Sequence, residues 1–302
     1  MDTTSSSTIS RRLFLVGSGG VLLAACGSDR DAESTTGAGG DDTSALPDAE
    51  TSGDDFALIR YFNDPSVVAG EDRRLAVGLA DVDGTLSPDG PDEISAVLLD
   101  EQGESIVSLT GTRRTEAVAL PYYEFRFDVP TPAIYTLRVM ADDGSADASF
   151  SVVEPGSLPF AGPGDTLEPF DTPTVDDLRG VDPICTREPS CPFHDVTLTD
   201  ALATGRPVVY LIGTPAFCQT ATCGPILDLL MDVAGDFEDI TFVHSEVYID
   251  TTATTTAPAV EASGLTFEPA IFLVGADGVV VERLDVVVDT TELRDRIERL
   301  TT

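Results

Sequence analysis

The chain contains no lysine and no tryptophan in 302 residues, and only two histidines. Its 17 side-chain cations are all arginine and face 53 acids, for a formal net charge of −36. That balance excludes nucleic-acid binding, which needs basic patches to displace counterions. It equally excludes docking on anionic lipid, and it describes a heavily solvated acidic surface. Long apolar runs are also missing. The stretch from Leu13 to Ala25 is too short for a permanent membrane helix, which takes about 20 residues. The acidic turn at Asp81-Val82-Asp83-Gly84 places Leu86 and Asp92 where a calcium loop requires Gly and Glu. Gly17, Gly19 and Gly20 fall in the N-terminal segment and build no nucleotide loop.

What is present begins with an address. Ser10-Arg11-Arg12-Leu13-Phe14-Leu15 resembles a twin-arginine export signal. Leu23-Ala24-Ala25-Cys26 resembles a lipobox, which implies lipidation of Cys26 and attachment to the outer face of the cytoplasmic membrane. Residues 1–26 are thus expected to be a signal peptide. Residues 27–55, rich in Gly, Ser, Thr, Asp and Ala with no apolar period, read as a disordered acidic tether. Four further cysteines, 185, 191, 218 and 223, allow two disulfides in an oxidising compartment, and proximity favours 185–191 and 218–223. Cargo of a twin-arginine route folds before it leaves a reducing cytoplasm. This favours cysteines with a chemical task over cysteines needed as staples.

Residues 56–154 read as seven short strands, at 56–62, 74–80, 94–100, 105–110, 122–129, 134–140 and 146–153. Asp-Gly and Gln-Gly turns separate them. The pattern predicts an all-β antiparallel sandwich. The segment Pro132-Ala133-Ile134-Tyr135-Thr136-Leu137 resembles the tyrosine corner of immunoglobulin-like domains, with Leu137 where antibody domains carry Cys. Residues 155–184, rich in Pro, Gly and Asp, read as a second linker or an extended strap.

From 185 to 302 the pattern changes to alternating helix and strand. Helices are expected at 198–204, 223–234 and 291–300, the last capped by Thr290 or Thr291. Strands are expected at 208–212, 240–249, 270–275 and 279–284, with a Thr- and Ala-rich loop before the third. The most informative stretch is Pro207 to Leu229: a buried strand, a Gly-Thr-Pro break, Cys218 and Cys223, then a helix. A thiol delivered to a helix N-terminus is favoured as thiolate. With Phe217 before Cys218, Pro225 before an amphipathic run, and Phe267-Glu268-Pro269-Ala270 before a hairpin strand, this region resembles a thioredoxin-like domain. The resemblance implies an α/β fold, a cis peptide at Pro269 lying against the reactive sulfur, and backbone there that presents to a partner chain.

The departure from that family lies in spacing: the cysteines stand as Cys-x4-Cys, not Cys-x-x-Cys. Residues five apart on an ideal helix are about 140° apart. The two sulfurs therefore meet only if Cys218 sits in the preceding loop or the first turn is irregular. The leading expectation is a membrane-anchored extracytoplasmic thiol–disulfide oxidoreductase. Cys218 attacks, Cys223 resolves, Pro269 holds the partner and Glu246 relays protons near the sulfur. The partners are protein thiols or disulfides outside the cytoplasm, and no cofactor is required. Cys185 and Cys191 are expected as a structural bridge. Two other readings stay open. One is a copper chaperone resembling the Sco family, with copper held by Cys218, Cys223 and His194 or His244. The other is a non-enzymatic surface module with inert disulfides.

Overall fold

The computed structural model describes residues 49–50, 56–118, 120–141 and 144–301. The expected export signal, Cys26 and nearly all of the expected tether lie outside the described residues. Among the described residues, no helix is long and apolar enough to cross a membrane. The structure is mostly β-sheet, and its first part is all-β.

Strands in this part are β1 (Ala49–Glu50), β2 (Ala57–Arg60), β3 (Val67–Val68), β4 (Gly70–Ala80), β5 (Glu93–Leu99), β6 (Ser105–Arg114), β7 (Tyr122–Val129), β8 (Ala133–Ala141) and β9 (Gly144–Val153). They form one continuous sheet in the order β1-β2-β4-β7-β6-β5-β8-β9-β3. All neighbours are antiparallel except β3 and β9. The sandwich expected from the strand pattern is thus a single sheet curled on itself, because β6 pairs with both β5 and β7. Period-2 alternation supplies the core: Leu58, Leu75, Val77, Phe125 and Phe127 from one half meet Leu98, Leu137 and Phe150 from the other. Tyr135 lies in this core and its hydroxyl donates to the Thr131 carbonyl at 2.8 Å.

The second part carries α1 (Leu198–Ala203), β10 (Val208–Ile212), α2 (Cys223–Ala234), β11 (Thr241–Ser245), α3 (Pro258–Ser263), β12 (Ala270–Val274), β13 (Val280–Asp285) and α4 (Thr290–Glu298). The four strands order as β11-β10-β12-β13, with β10 and β11 parallel and the other pairs antiparallel. Both faces are covered, so β10 and β12 are unbroken apolar runs rather than alternating ones. Val209, Leu211, Ile271 and Leu273 pack under α2 and α4, while Val208, Tyr210 and Phe272 pack toward α1.

Residues 155–184 run against this second core: Phe160 and Leu167 are buried in it, and Thr166 bridges to Val279. The loop expected before β12 contains α3. Pro258 opens that helix, and Gly264 closes it with φ +70° where a Cβ would strike the Pro159 carbonyl. The cap of α4 is Asp289, whose carboxylate accepts the Glu292 N–H at 2.7 Å, rather than Thr290 or Thr291.

The two parts pack as one body. Ala57, Ile59, Tyr61, Ala76 and Tyr122 meet Val286 and Val287 in an apolar seam. Beside it lies a buried charge network. Arg74 binds Glu292 through Nε at 2.5 Å and the Val287 carbonyl through Nη2 at 2.7 Å. The Tyr122 hydroxyl donates to Glu292 and accepts the Asp289 N–H at 2.9 Å. Arg126 joins Glu124, Glu282 and Glu292.

Candidate functional site

β10 ends at Ile212 and the chain passes through Gly213 and Thr214, both buried, into the loop that carries Cys218. Cys218 and Cys223 form a disulfide with their Cα atoms 5.9 Å apart. The longer spacing is accommodated as one of the two geometries expected: Cys218 lies in the loop and Cys223 opens α2. Ala221 makes this possible by taking φ +57°, while its N–H reaches back to the Cys218 carbonyl at 3.3 Å. Left-handed backbone at a non-glycine residue costs about 1–2 kcal/mol.

The two sulfurs differ in exposure, Cys218 being half-buried and Cys223 buried. The Cys223 N–H donates to Cys218 Sγ at 3.2 Å. Thr222 caps α2 without a side-chain hydrogen bond, and the first turn holds no acid. The positive end of the helix is therefore left to the Cys218 sulfur, which favours thiolate once the bond is reduced.

Glu268 provides the carboxyl at this site. Its Oε2 accepts the Thr214 N–H at 2.8 Å and lies 3.4 Å from Cys223 Sγ. Burial pushes its pKa up to about 7; the Thr214 N–H opposes the rise and the negative charge of Glu246 adds to it. The Glu268–Pro269 peptide is cis, as the sequence reading expected. Gly213 marks where these parts converge: a Cβ there would lie 3.3 Å from Pro269 Cβ, 3.5 Å from Cys223 Cβ and 3.6 Å from Cys223 Sγ. A cleft of about 400 Å³ opens alongside, lined by Phe62, Thr220, Tyr248, Phe267 and Glu268 among others. Phe217 packs edge-on against Tyr248 at 6.3 Å.

A second cluster lies nearby and is buried throughout. Cys185, Cys191, His194 and His244 bring one ligand atom each to within 4.8 Å of all the others. Cys191 Sγ is 3.2 Å from His194 Nε2 and 3.4 Å from His244 Nδ1, and those two nitrogens are 3.3 Å apart. The Cys191 N–H points to Cys185 Sγ at 3.5 Å. His244 Nε2 lies 2.9 Å from the Gly213 carbonyl, which only accepts, so that nitrogen carries a proton. Cys185 is held far below the usual thiol range by hydrogen bonds from Cys191 and the two imidazoles, while Cys191, donating to Cys185 and buried, is held far above it.

Three sequence expectations are corrected here. Cys185 and Cys191 are free thiols rather than a bridge, because their sulfurs turn toward two imidazoles. Glu246 does not serve the 218–223 pair: its Oε1 accepts the Thr186 N–H at 2.5 Å, and the carboxylate at the disulfide is Glu268. The set Cys218, Cys223, His194 and His244 does not assemble, since both imidazoles belong to the other sulfur pair. Glu268 was visible in sequence only as the neighbour of Pro269. Its role depends on the pairing that brings β12 alongside β10 across the intervening α2, β11 and α3, which no local pattern encodes.

No family model and no curated protein matches the chain. Among solved structures, it is similar to FetP of uropathogenic E. coli at 16% identity and a TM-score of 0.23, covering 36% of this chain and 94% of that one. It is similar to a titin fragment at 14% identity and a TM-score of 0.21, covering 39% of this chain and 61% of that one. At scores this low, neither neighbour bears on the fold or chemistry of this chain.

Proposed function

We propose that the protein is an extracytoplasmic, lipid-anchored thiol–disulfide oxidoreductase with Cys218 and Cys223 as its reactive pair. One observation carries the reading: a half-exposed sulfur receives a helix N-terminal N–H, while its buried partner faces a carboxyl with a pKa near neutrality. The strand order β11-β10-β12-β13 and the cis Pro269 beside Cys223 support a thioredoxin-like assignment for the second part. The Tyr135–Thr131 hydrogen bond supports an immunoglobulin-like assignment for the first. The resemblance of residues 10–15 to an export signal and of residues 23–26 to a lipobox supports a compartment where disulfides persist.

In the reduced protein, the Cys218 thiolate attacks one sulfur of a substrate disulfide. A mixed disulfide forms, the substrate S–S bond breaks, and the first substrate thiolate leaves and is protonated from solvent. Cys223 then gives its proton to Glu268 and attacks Cys218 Sγ, which restores the 218–223 bond. The second substrate sulfur leaves as thiolate and takes the proton from Glu268. Two electrons pass from the protein dithiol to the substrate, and the reverse sequence oxidises a substrate dithiol. The cleft walled by Phe62, Tyr248 and Phe267 receives an apolar or aromatic side chain of the partner polypeptide. The copper-chaperone reading loses weight because Cys218 and Cys223 are joined by Glu268 and no imidazole.

Insulin reduction driven by dithiothreitol tests the proposal. The full chain accelerates turnover, Cys218→Ser abolishes it, and Cys223→Ser accumulates a mixed disulfide with the substrate. Turnover no faster than dithiothreitol alone, with a Cys218 thiol of ordinary alkylation pKa, refutes it.

A further inference from the structure

We infer that Cys185, Cys191, His194 and His244 form a closed four-coordinate site for a divalent cation of the zinc class, which clamps the 185–194 segment to β11. The inference does not depend on the redox activity proposed for Cys218 and Cys223.

The spacing of the ligand atoms fits a tetrahedral ion. A tetrahedral zinc ion with Zn–S of about 2.3 Å and Zn–N of about 2.0–2.1 Å sets S···N edges of about 3.6 Å and N···N edges of about 3.3 Å. The observed edges are 3.2 and 3.4 Å for sulfur to nitrogen and 3.3 Å for nitrogen to nitrogen. In the neutral ring that ligates a metal, Nε2–H is committed to the Gly213 carbonyl and Nδ1 turns its lone pair to the other two atoms. A cation at the centre satisfies every edge at once.

Each imidazole is also held with one nitrogen turned toward the cluster. The bond from His244 Nε2–H to a backbone carbonyl is the outer-shell contact that fixes a ligating tautomer. His194 Nδ1 is buried with no hydrogen-bond partner, so the polar contacts of that ring are all made by Nε2. That Nε2 faces both the sulfur and the other imidazole, where a ligand to a shared ion would sit.

Charge selects the ion. Two thiolates and two neutral imidazoles neutralise a 2+ cation, which makes full burial affordable. A monovalent ion such as Cu(I) would leave a net negative charge in a site that already faces the Glu246 carboxylate. Four protein ligands and 1–5% exposure leave no position for substrate, so the ion is structural. Three ligands come from one loop and the fourth from β11. Within that loop, Thr186 Oγ1 accepts the Ala216 N–H at 3.0 Å, two residues from Cys218. The clamp therefore fixes one wall of the disulfide loop.

The test is metal analysis of the full chain, purified with reductant and then freed of loose metal. Mass spectrometry finds one zinc per chain. Cys191→Ser and His244→Ala lose it, and Cys218→Ser and Cys223→Ser keep it. The unmutated chain reconstituted with cobalt(II) gives intense thiolate charge-transfer and visible bands of four-coordinate metal, so the outcome does not depend on variants that fold. A chain that binds no zinc after incubation with zinc chloride overturns the inference. So does zinc retained by Cys191→Ser, a pale six-coordinate cobalt spectrum, or a mapped 185–191 disulfide. Insulin turnover reads the other sulfur pair, so failure of one proposal is distinguishable from failure of the other.

Discussion

Replacing Glu268 by glutamine changes one titrating group and little else. The amide keeps an oxygen to accept the Thr214 N–H, and the side chain keeps its size. Burial raises the carboxyl from 4.5 to about 7 in the folded protein, so between those values the folded chain holds a proton that the unfolded chain has released. A raised folded pKa stabilises below about pH 4.5, and that contribution is lost as pH climbs through about 7. At 1.36 kcal/mol per unit, the wild-type handicap from this carboxylate is about 0.2 kcal/mol at pH 4 and about 3 kcal/mol at pH 8. Glu268→Gln removes it. Urea denaturation of the oxidised chains, in which the 218–223 sulfurs do not titrate, reads the difference. The variant matches the wild type near pH 4 and gains about 3 kcal/mol near pH 8. An equal gain or loss at both pH values refutes the assignment of a buried, near-neutral carboxyl. With reduced protein, the same substitution flattens the rise through about pH 7 in the rate at which Cys223 resolves a mixed disulfide.

Gly213→Ala inserts a methyl 3.3 Å from Pro269 and 3.5 Å from Cys223, so it costs about 1 kcal/mol in thermal unfolding and lowers insulin turnover more than tenfold. Unchanged turnover places the reacting sulfurs away from that proline. Tyr122→Phe removes the donor to Glu292 and the acceptor of the Asp289 N–H, both buried, and lowers unfolding free energy by about 1–3 kcal/mol without altering turnover. Arg74→Met leaves the Glu292 carboxylate buried with only Arg126 and Tyr122 to answer it, and costs about 3 kcal/mol by the same measurement. A loss below about 0.5 kcal/mol shows that the seam opens to water around that pair.

Much of the architecture was legible because periodicity is local. Each strand expected between 56 and 153 has an observed counterpart, since alternating residues facing one core leave a period of two in the sequence. The runs Val208–Ile212 and Ala270–Val274 were legible for the opposite reason, being apolar on both faces of a covered sheet. α3 was missed although Pro258 and Gly264 bracket it, because six residues carry too short an apolar period to stand out from a Thr- and Ala-rich loop. β3, two residues long, left no period at all.

Cysteine pairing divides along the same line. The 218–223 bond follows from a strand that ends in a tight loop, and proximity in sequence serves as proximity in space. The 185–191 pair defeats that rule: His194 arrives from its own loop and His244 from β11, and together they turn the sulfurs inward. The sequence by itself determined the acidic, lysine-free composition, the strand-rich first part, the helix-and-strand second part and a thiol at a helix start, all of which depend on neighbours within a few residues. Tertiary structure alone decided which carboxyl faces Cys223, which sulfurs meet imidazole, and that a buried arginine–glutamate seam joins the two parts. Those contacts link residues 45 to 218 positions apart, and their energies exist only once the chain has excluded water between them.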